Sequence, residues 1–211
     1  MGGLIVVVVL VMAVNLVVLV VKKQARGAAA AEVATNLGFA HSTVELGSPD
    51  LPFDVFRGRS KKVRHEISDP HDPSGVRGFV HSAVVGHGDD RRTVEQTCAL
   101  VLTNWHAPHV RIDRRGVLGR VARHLGPAAT STGDVEFDEC WKVRSDDPGF
   151  ARELVNERLR TFLRSIEDGW STIEFELGGN HLLAHLDGCH IDRIPELIDV
   201  VRQFKASVAP G

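Results

Sequence analysis

The feature that most constrains this chain is an unbroken apolar run of eighteen residues near its N-terminus, from Leu4 to Val21. The run contains no charged residue and a single polar one, Asn15. As an α-helix it would be about 27 Å long, close to the roughly 30 Å hydrocarbon core of a bilayer. A buried strand ends after about eight residues, and a soluble helix keeps a polar face. The run therefore predicts a transmembrane helix.

Basic residues flank this run on its C-terminal side only. Lys22, Lys23 and Arg26 follow it, whereas the three residues before it carry no charged side chain. Because Lys and Arg concentrate at the cytoplasmic end of a membrane helix, this bias predicts a single-pass protein of the cell membrane with a cytoplasmic C-terminal domain. A cleaved secretory signal is the alternative, with small residues at 28–31. Signal peptides, however, carry their positive charge before a shorter apolar core, which favours the uncleaved anchor.

The rest of the chain, residues 27–211, is long enough to bury the core of one domain. The basic flank holds three of the 25 basic residues and all 27 acidic residues follow it, so this part has a formal net charge of −5. That charge disfavours a general nucleic-acid binder. Cys98, Cys140 and Cys189 are far apart and form no Cys-x-x-Cys pair, a pattern that suits a reducing compartment.

Composition and spacing divide the chain into three parts. We expect a transmembrane anchor with its basic flank at residues 1–26, a juxtamembrane helix with an irregular linker at 27–60, and a soluble α+β domain at 61–211. The alanine-rich stretch 24–37 contains good helix formers and precedes Gly38, a typical C-cap residue. It therefore predicts a short helix between the anchor and the domain.

Alternation of apolar and polar residues predicts the first strands of the domain. Val63, His65 and Ile67 are expected on one face of a strand at 62–68.

The stretches 76–85 and 92–103 predict a long β-hairpin whose turn has the sequence GHGDDR. This turn is no phosphate-binding loop, since such loops lead into a helix N-terminus. Trp105–Pro108 would break the second strand, and a short strand would resume at 110–112.

The C-terminal half predicts a helix at 116–125, a strand at 135–144, a helix at 148–166, a hairpin at 171–186 and a helix at 195–207. Asp146 and Asp147 precede Pro148, an arrangement typical of a helix N-terminus. The hairpin would turn at Gly178-Gly179-Asn180. Hairpins outnumber β-α-β units, so the fold class is predicted to be α+β, a mainly antiparallel sheet with helices packed on one side.

The C-terminal half also contains a block of aromatic, acidic and helix-starting residues: Phe137, Trp141, Val143, Asp146-Asp147 and Ala151 to Leu154. From Val110 onward the chain resembles a group of uncharacterised bacterial proteins. These have one or two N-terminal membrane helices and a cytoplasmic domain of unknown function. The resemblance implies a membrane-anchored domain and supplies no catalytic residues.

The eleven histidines raise the question of a metal site. His181 and His185 would share a face of a helix and could bind zinc there. The glycine-rich flanks predict a strand instead, on which the two residues would lie about 13 Å apart, too far for one ion. His106 and His109, in the sequence NWHAPH, could join a site from their loop. We therefore predict no metal, cofactor or catalytic residue, and keep a metal-dependent enzyme using these histidines as the alternative.

Five basic residues cluster just before the first predicted strand: Arg57, Arg59, Lys61, Lys62 and Arg64. Near a cytoplasmic leaflet such residues attract anionic lipid, at about 1 kcal/mol each. Equally, Lys and Arg on an exposed edge strand protect it from aggregation. The sequence favours a non-enzymatic module that contacts a protein partner or anionic lipid from a membrane anchor.

Overall fold

The structure, a computed structural model, describes residues 2–42, 44–47, 49–114 and 129–208. The side chains of residues 2–6, 8, 9, 12 and 46 also lie outside this description. The helix predicted at 116–125 falls outside the described residues.

Five α-helices and seven β-strands make up the described part of the chain. The helices are α1 (Gly2–Leu37), α2 (Val135–Cys140), α3 (Pro148–Leu154), α4 (Glu157–Ser165) and α5 (Ile194–Val208). The strands are β1 (Ala40–Ser42), β2 (Leu46–Gly47), β3 (Arg59–Ser68), β4 (Arg77–Val85), β5 (Arg92–Arg114), β6 (Trp141–Ser145) and β7 (Glu174–Asp187). The predicted α+β class is confirmed.

The strands form one antiparallel sheet in the order β1-β3-β4-β5-β6, with β2 also pairing with β3 and β7 with β5. The predicted hairpin of β4 and β5 is confirmed, since Val85 pairs with Arg92 and Arg77 with Leu100. Its turn joins two strands, as expected. Strand β5 is the central element: it pairs with β4 and then β6 along one edge, and with β7 along the other.

Strands β5 and β7 both depart from regular pairing, and they do so opposite each other. Their register slips between Leu102 and Val110 of β5, where Ala107 pairs with Gly179. In β7, Leu183 and Leu177 would share a face of a regular strand, yet they belong to two different core clusters. The irregularity thus exchanges the faces of the strand, as a bulge does.

Two sequence predictions are corrected here. The residues 178–180 form no hairpin turn, and Trp105–Pro108 does not end a strand; both lie inside continuous strands. A Cβ at Gly178 would lie 3.2 Å from Phe53, so this glycine serves the close approach of another segment. Gly179 has a φ of +58°, which glycine adopts readily, and this suits a bend as well as a turn.

The larger core cluster lies where the helices cover the sheet. It joins apolar residues of all five helices to the sheet, and in it the Phe175 ring of β7 lies 4.7 Å from the Phe204 ring of α5. The smaller cluster contains Phe53, Val55 and Phe56, which come from the segment between β2 and β3. Helices therefore cover one face, and a short irregular segment covers the other.

Helix α1 runs without interruption from the apolar run into the domain. The sequence predicted a separate helix at 24–37, but the structure has one helix that ends at Gly38, whose φ is +70°. Ala30 and Ala34 are buried in the larger core cluster. Among the side chains that the structure describes, no helix is long and apolar enough to cross a membrane.

A bulge in β3 corrects the predicted face of that strand. The register with β4 shifts between Arg64 and Ile67, and His65 has a φ of +52°. As a result Val63 packs in the smaller core cluster and Ile67 in the larger one. The extra residue places them on opposite faces although they are four residues apart.

The first part of the strand predicted at 135–144 is a helix. Asp134 caps α2 by accepting a hydrogen bond from the Phe137 N–H at 3.0 Å, and the chain becomes a strand only at Trp141. The apolar spacing of Phe137 and Trp141 fits a helical turn as well as a strand. Asp134, a typical N-cap residue, was the sequence signal for this helix, and the alternation of apolar residues favoured a strand instead.

The helix predicted at 148–166 is two helices. Asp147 caps α3, as predicted, by accepting hydrogen bonds from the Gly149 and Phe150 N–H groups. Asn156 then starts α4 by accepting one from the Leu159 N–H at 3.0 Å. An Asn at a helix start competes with helix continuation because its side chain bonds the backbone. The helix predicted at 195–207 is confirmed as α5.

A pH-dependent ion pair ties the β3–β4 turn to α5. Arg202 contacts Asp72 at 2.8 Å and Asp69 at 3.3 Å. Burial would raise the pKa of Asp72, but hydrogen bonds from Ser74 and Arg202 outweigh it and lower the pKa to about 2. Because the folded-state pKa lies below the unfolded value, the stabilisation is present above about pH 4 and disappears as the pH falls through about 2.

We predict that Asp72→Asn removes this part of the acid sensitivity. At neutral pH the variant should lose about 1 to 2 kcal/mol of unfolding free energy, an amount reduced from the full pKa shift because Arg202 is partly exposed. Near pH 2 it should match the unmodified chain. Urea unfolding of the full chain in detergent, followed by Trp fluorescence across this range, measures the difference. A constant difference at all pH values would contradict the assignment.

Candidate functional site

A cleft of about 810 Å³ opens beside the segment that covers the smaller core cluster. Part of its wall is apolar and comes from the β4–β5 hairpin: Ala83, Val85 and Val94. Its charged lining includes Asp54, Arg111, Glu174, Glu176 and His185. A concave site with an apolar wall and a few convergent polar groups is the usual form of a ligand-binding site.

Glu176 of β7 is fully buried, and four groups face its carboxylate. The backbone N–H of Asp54 donates to Oε2 at 2.6 Å, and that of Val55 donates to Oε1 at 3.2 Å. Nε2 of His109 lies 3.1 Å from Oε2, and Nε2 of His185 lies 3.3 Å from Oε1. The carboxylate thus joins β7 to the irregular segment and to β5.

The contact between Glu176 and His185 reveals how strongly the strands bend. The two residues are nine positions apart on the same strand. A straight strand would separate them by about 30 Å. Their side chains meet because β7 bends at Gly178-Gly179, opposite the irregular stretch of β5.

A second set of buried charges surrounds Arg111 of β5. Its guanidinium contacts Asp54 at 3.2 Å, Asp113 at 3.8 Å and also Glu174. Asp113 in turn bonds Arg144 of β6. The side chains of Arg111, Asp113 and Glu174 are each 14 % exposed, so these ion pairs are largely removed from water. Burying them is favourable only while every partner stays in place.

The surroundings shift the pKa values of two histidines, His109 and His185, and of two glutamates, Glu174 and Glu176. Hydrogen bonding to Glu176 raises the pKa of His109. Burial opposes the charged form of His185, but the adjacent carboxylates of Glu176 and Glu174 raise its pKa. Burial would likewise raise the pKa of Glu176, yet His109 and His185 hold it far below its usual range. Burial dominates at Glu174 and raises its pKa.

Three donor groups at the edge of the cleft could bind a metal ion. One donor atom each from Asp54, His109 and Glu176 lie within 4.8 Å of one another. They come from the irregular segment, from β5 and from β7. No pattern in the sequence combines them, because only the bend brings the three elements together.

The histidines considered from the sequence lie in different parts of the structure. His185 reaches this site, and so does His109, which follows the Trp105–Pro108 stretch. His181 lies on β7 opposite Leu102, half-buried, where burial lowers its pKa. His106 is exposed. The prediction that His181 and His185 lie on a strand is confirmed.

The basic cluster is divided by an irregularity at the start of β3, where Gly58 and Ser60 have positive φ and the register with β4 shifts. Arg57 and Arg59 line the cleft. Lys62 and Arg64 bind Glu45, at 2.9 and 2.8 Å. Lys61 is exposed. Its role as a lipid-contacting surface remains a prediction.

Of the three basic residues that follow the apolar run, Arg26 forms an ion pair with the domain. Arg26 forms an ion pair with Glu95 at 3.1 Å, while Lys22 and Lys23 are exposed. Cys98 is fully buried, and burial raises its pKa well above its usual value, as suits an inert core thiol. Cys140 and Cys189 are half-buried.

We predict that Glu176→Gln destabilises the fold by about 3 kcal/mol. The amide keeps the shape of the side chain but cannot offer two charged acceptors to the backbone N–H groups and histidines around it. Glu157→Gln is the matched control, because its side chain is 72 % exposed and pairs with Arg160 on the surface. It should change stability by less than about 0.5 kcal/mol. Urea unfolding of the full chain measures both, and equal losses would contradict a special role for Glu176.

Comparison with known proteins gives one structural relative. The fold is similar to a solved structure described as the crystal structure of the mycobacterial trehalose monomycolate transport factor A, TtfA. The TM-score is 0.60 at 16% sequence identity, and the similarity covers 88% of this chain and 96% of that one. No protein-family model and no curated protein matches the chain, which is consistent with an uncharacterised family. At this identity the similarity establishes a shared α+β fold.

Proposed function

We propose that this chain is a single-pass membrane protein whose cytoplasmic α+β domain acts by binding rather than by catalysis, as an accessory factor in transport at the membrane. The observation that carries the proposal is helix α1. Its first half has the sequence of a membrane span, and its last turns are buried against the domain at Ala30 and Ala34. A helix continuous across both parts would hold the domain close to the bilayer.

Basic side chains near α1 support this placement. Glu45 binds Lys62 and Arg64 of β3, and its pKa is lowered by the hydrogen bond from Lys62 and by the charges of Arg64 and the helix residue Lys23. Basic residues of the helix flank and of β3 are therefore neighbours in space. Such a group next to a span favours contact with anionic lipid of the cytoplasmic leaflet.

The cleft and the structural relative support binding rather than chemistry. At the floor of the cleft, carboxylates, arginines and histidines are engaged mainly with one another, an arrangement that builds a rigid wall. The related structure belongs to a protein named as a transport factor. Together with the anchor, this favours a domain that holds a partner or a lipid-derived ligand at the membrane.

The anchor is tested by placing charges in the apolar run. Each acidic residue near the middle of a span costs about 2.5 to 3.5 kcal/mol, so Val14→Asp combined with Val17→Asp should release the protein from membranes. Val44→Asp is the control, because Val44 is 62% exposed and lies outside the helix. The measurement is the fraction of full-length protein left in the membrane pellet after an alkaline carbonate wash. Complete extraction of the unmodified chain would overturn the proposal.

The same cells test which side the domain occupies. Glu136 has a side chain that is 90% exposed, so Glu136→Cys offers a thiol on the domain surface. A membrane-impermeant maleimide should label this variant only after lysis, with the unmodified chain as background. Labelling in intact cells would place the domain outside and overturn the cytoplasmic orientation.

A further inference from the structure

The geometry points to a binding site for a first-row divalent cation of the zinc type at the edge of the cleft, formed by Asp54, His109 and Glu176, with His185 beside it. This site is independent of the membrane anchor. Its donors come from three separate parts of the chain, which the fold brings together.

The donor spacing suits a metal ion. Nε2 of His109 lies 3.1 Å from Oε2 of Glu176. Two ligands of one tetrahedral zinc ion, each bonded at 2.0–2.1 Å, are about 3.3 Å apart. The donors of all three residues lie within 4.8 Å of one another, close enough for a small side-chain adjustment to bring them to one ion.

A buried imidazole nitrogen without a hydrogen bond is a second, separate observation. His185 is only 4% exposed and lines the cleft. Its Nε2 approaches Glu176 at 3.3 Å and Glu174 at 3.7 Å, but makes no aligned hydrogen bond with the residues that the structure describes. Buried polar atoms are normally paired, and a bound ion is one reason for an exception. His185 thus lies beside the three donors, on the other carboxylate oxygen of Glu176.

Charge balance also favours a cation. Four carboxylates, those of Asp54, Asp113, Glu174 and Glu176, lie in this network with the guanidinium groups of Arg111 and Arg144. Arg57 also contacts Oδ1 of Asp54, at 3.0 Å, although its side chain is 60% exposed. Counting all three arginines, and with both histidines neutral as metal ligation requires, the formal excess is one negative charge.

The ligand set selects the class of ion. Imidazole nitrogens with carboxylate oxygens suit zinc and its first-row neighbours, whereas calcium and magnesium prefer oxygen ligands alone. Asp54 and Glu176 line the cleft, so the site borders its interior. Binding of the ion would attach the irregular segment to β5 and β7.

The test uses the purified full chain in detergent, treated with chelator and then titrated with Zn²⁺ by calorimetry and with Co²⁺ by visible absorption. We expect one equivalent of each ion to bind, with a Co²⁺ spectrum typical of nitrogen and oxygen ligands and no thiolate charge-transfer band. His109→Ala should weaken binding at least about 100-fold, since even residues behind the ligands contribute 10- to 100-fold. His106→Ala is the matched control: an exposed histidine of the same strand, three residues away.

Asp54→Asn serves as a second variant, because it keeps the backbone N–H groups that support Glu176. Circular dichroism of each metal-free variant shows that it is folded before titration. Loss of binding in His109→Ala and Asp54→Asn, with His106→Ala unchanged, supports the site. Absence of stoichiometric binding, a thiolate spectrum, equal loss in His106→Ala, or unchanged binding in both site variants would each overturn it.

Discussion

The bend shared by β5 and β7 is the constraint on which the rest of the structure depends. In a regular pair of strands, Glu176 and His185 would lie about 30 Å apart, and the sheet face that the segment at 49–56 covers would be flat. The register slip around Ala107 and Gly179 exchanges the faces of both strands at one level. His109 and Arg111 then face the same space as the β7 carboxylates. The cleft, the charge network and the support for the segment at 49–56 all follow from that exchange.

Buried charge holds this bend in place. Glu176 receives two backbone N–H groups from a segment that contributes no long strand or α-helix of its own. Hydrophobic contact of Phe53 and Phe56 brings the segment to the sheet, but apolar contacts are not directional. Hydrogen bonds to a buried carboxylate are directional, and a missing partner there is expensive. The carboxylate therefore specifies where the segment lies, whereas the phenylalanines supply most of the favourable burial.

The sequence predicted the elements whose signal is local, and it was wrong where two elements meet. The hairpin of β4 and β5 and helix α5 have clear periodicity, and the Asp147 cap has its own motif. The bend at Gly178-Gly179 has the same local sequence as a hairpin turn, so the choice depends on what β5 offers as a partner. The extra residue in β3 does not change the even spacing of Val63 and Ile67, so the bulge could not be recognised from the sequence. Of the candidate site only the histidines could be proposed from the sequence, because its donors are brought together by the bend.

The opposite faces of strand β5 connect helix α1 to the cleft. Arg26 of α1 binds Glu95 on the helix-covered side, while the next residue, Gln96, lines the cleft. The backbone of Glu95 also accepts the Gly188 N–H at the end of β7, the strand that carries Glu176 and His185. A rigid antiparallel pair transmits displacement from one face to the other because interiors are densely packed. An occupant of the cleft that shifts β5 against β7 would therefore act on the contact that holds helix α1.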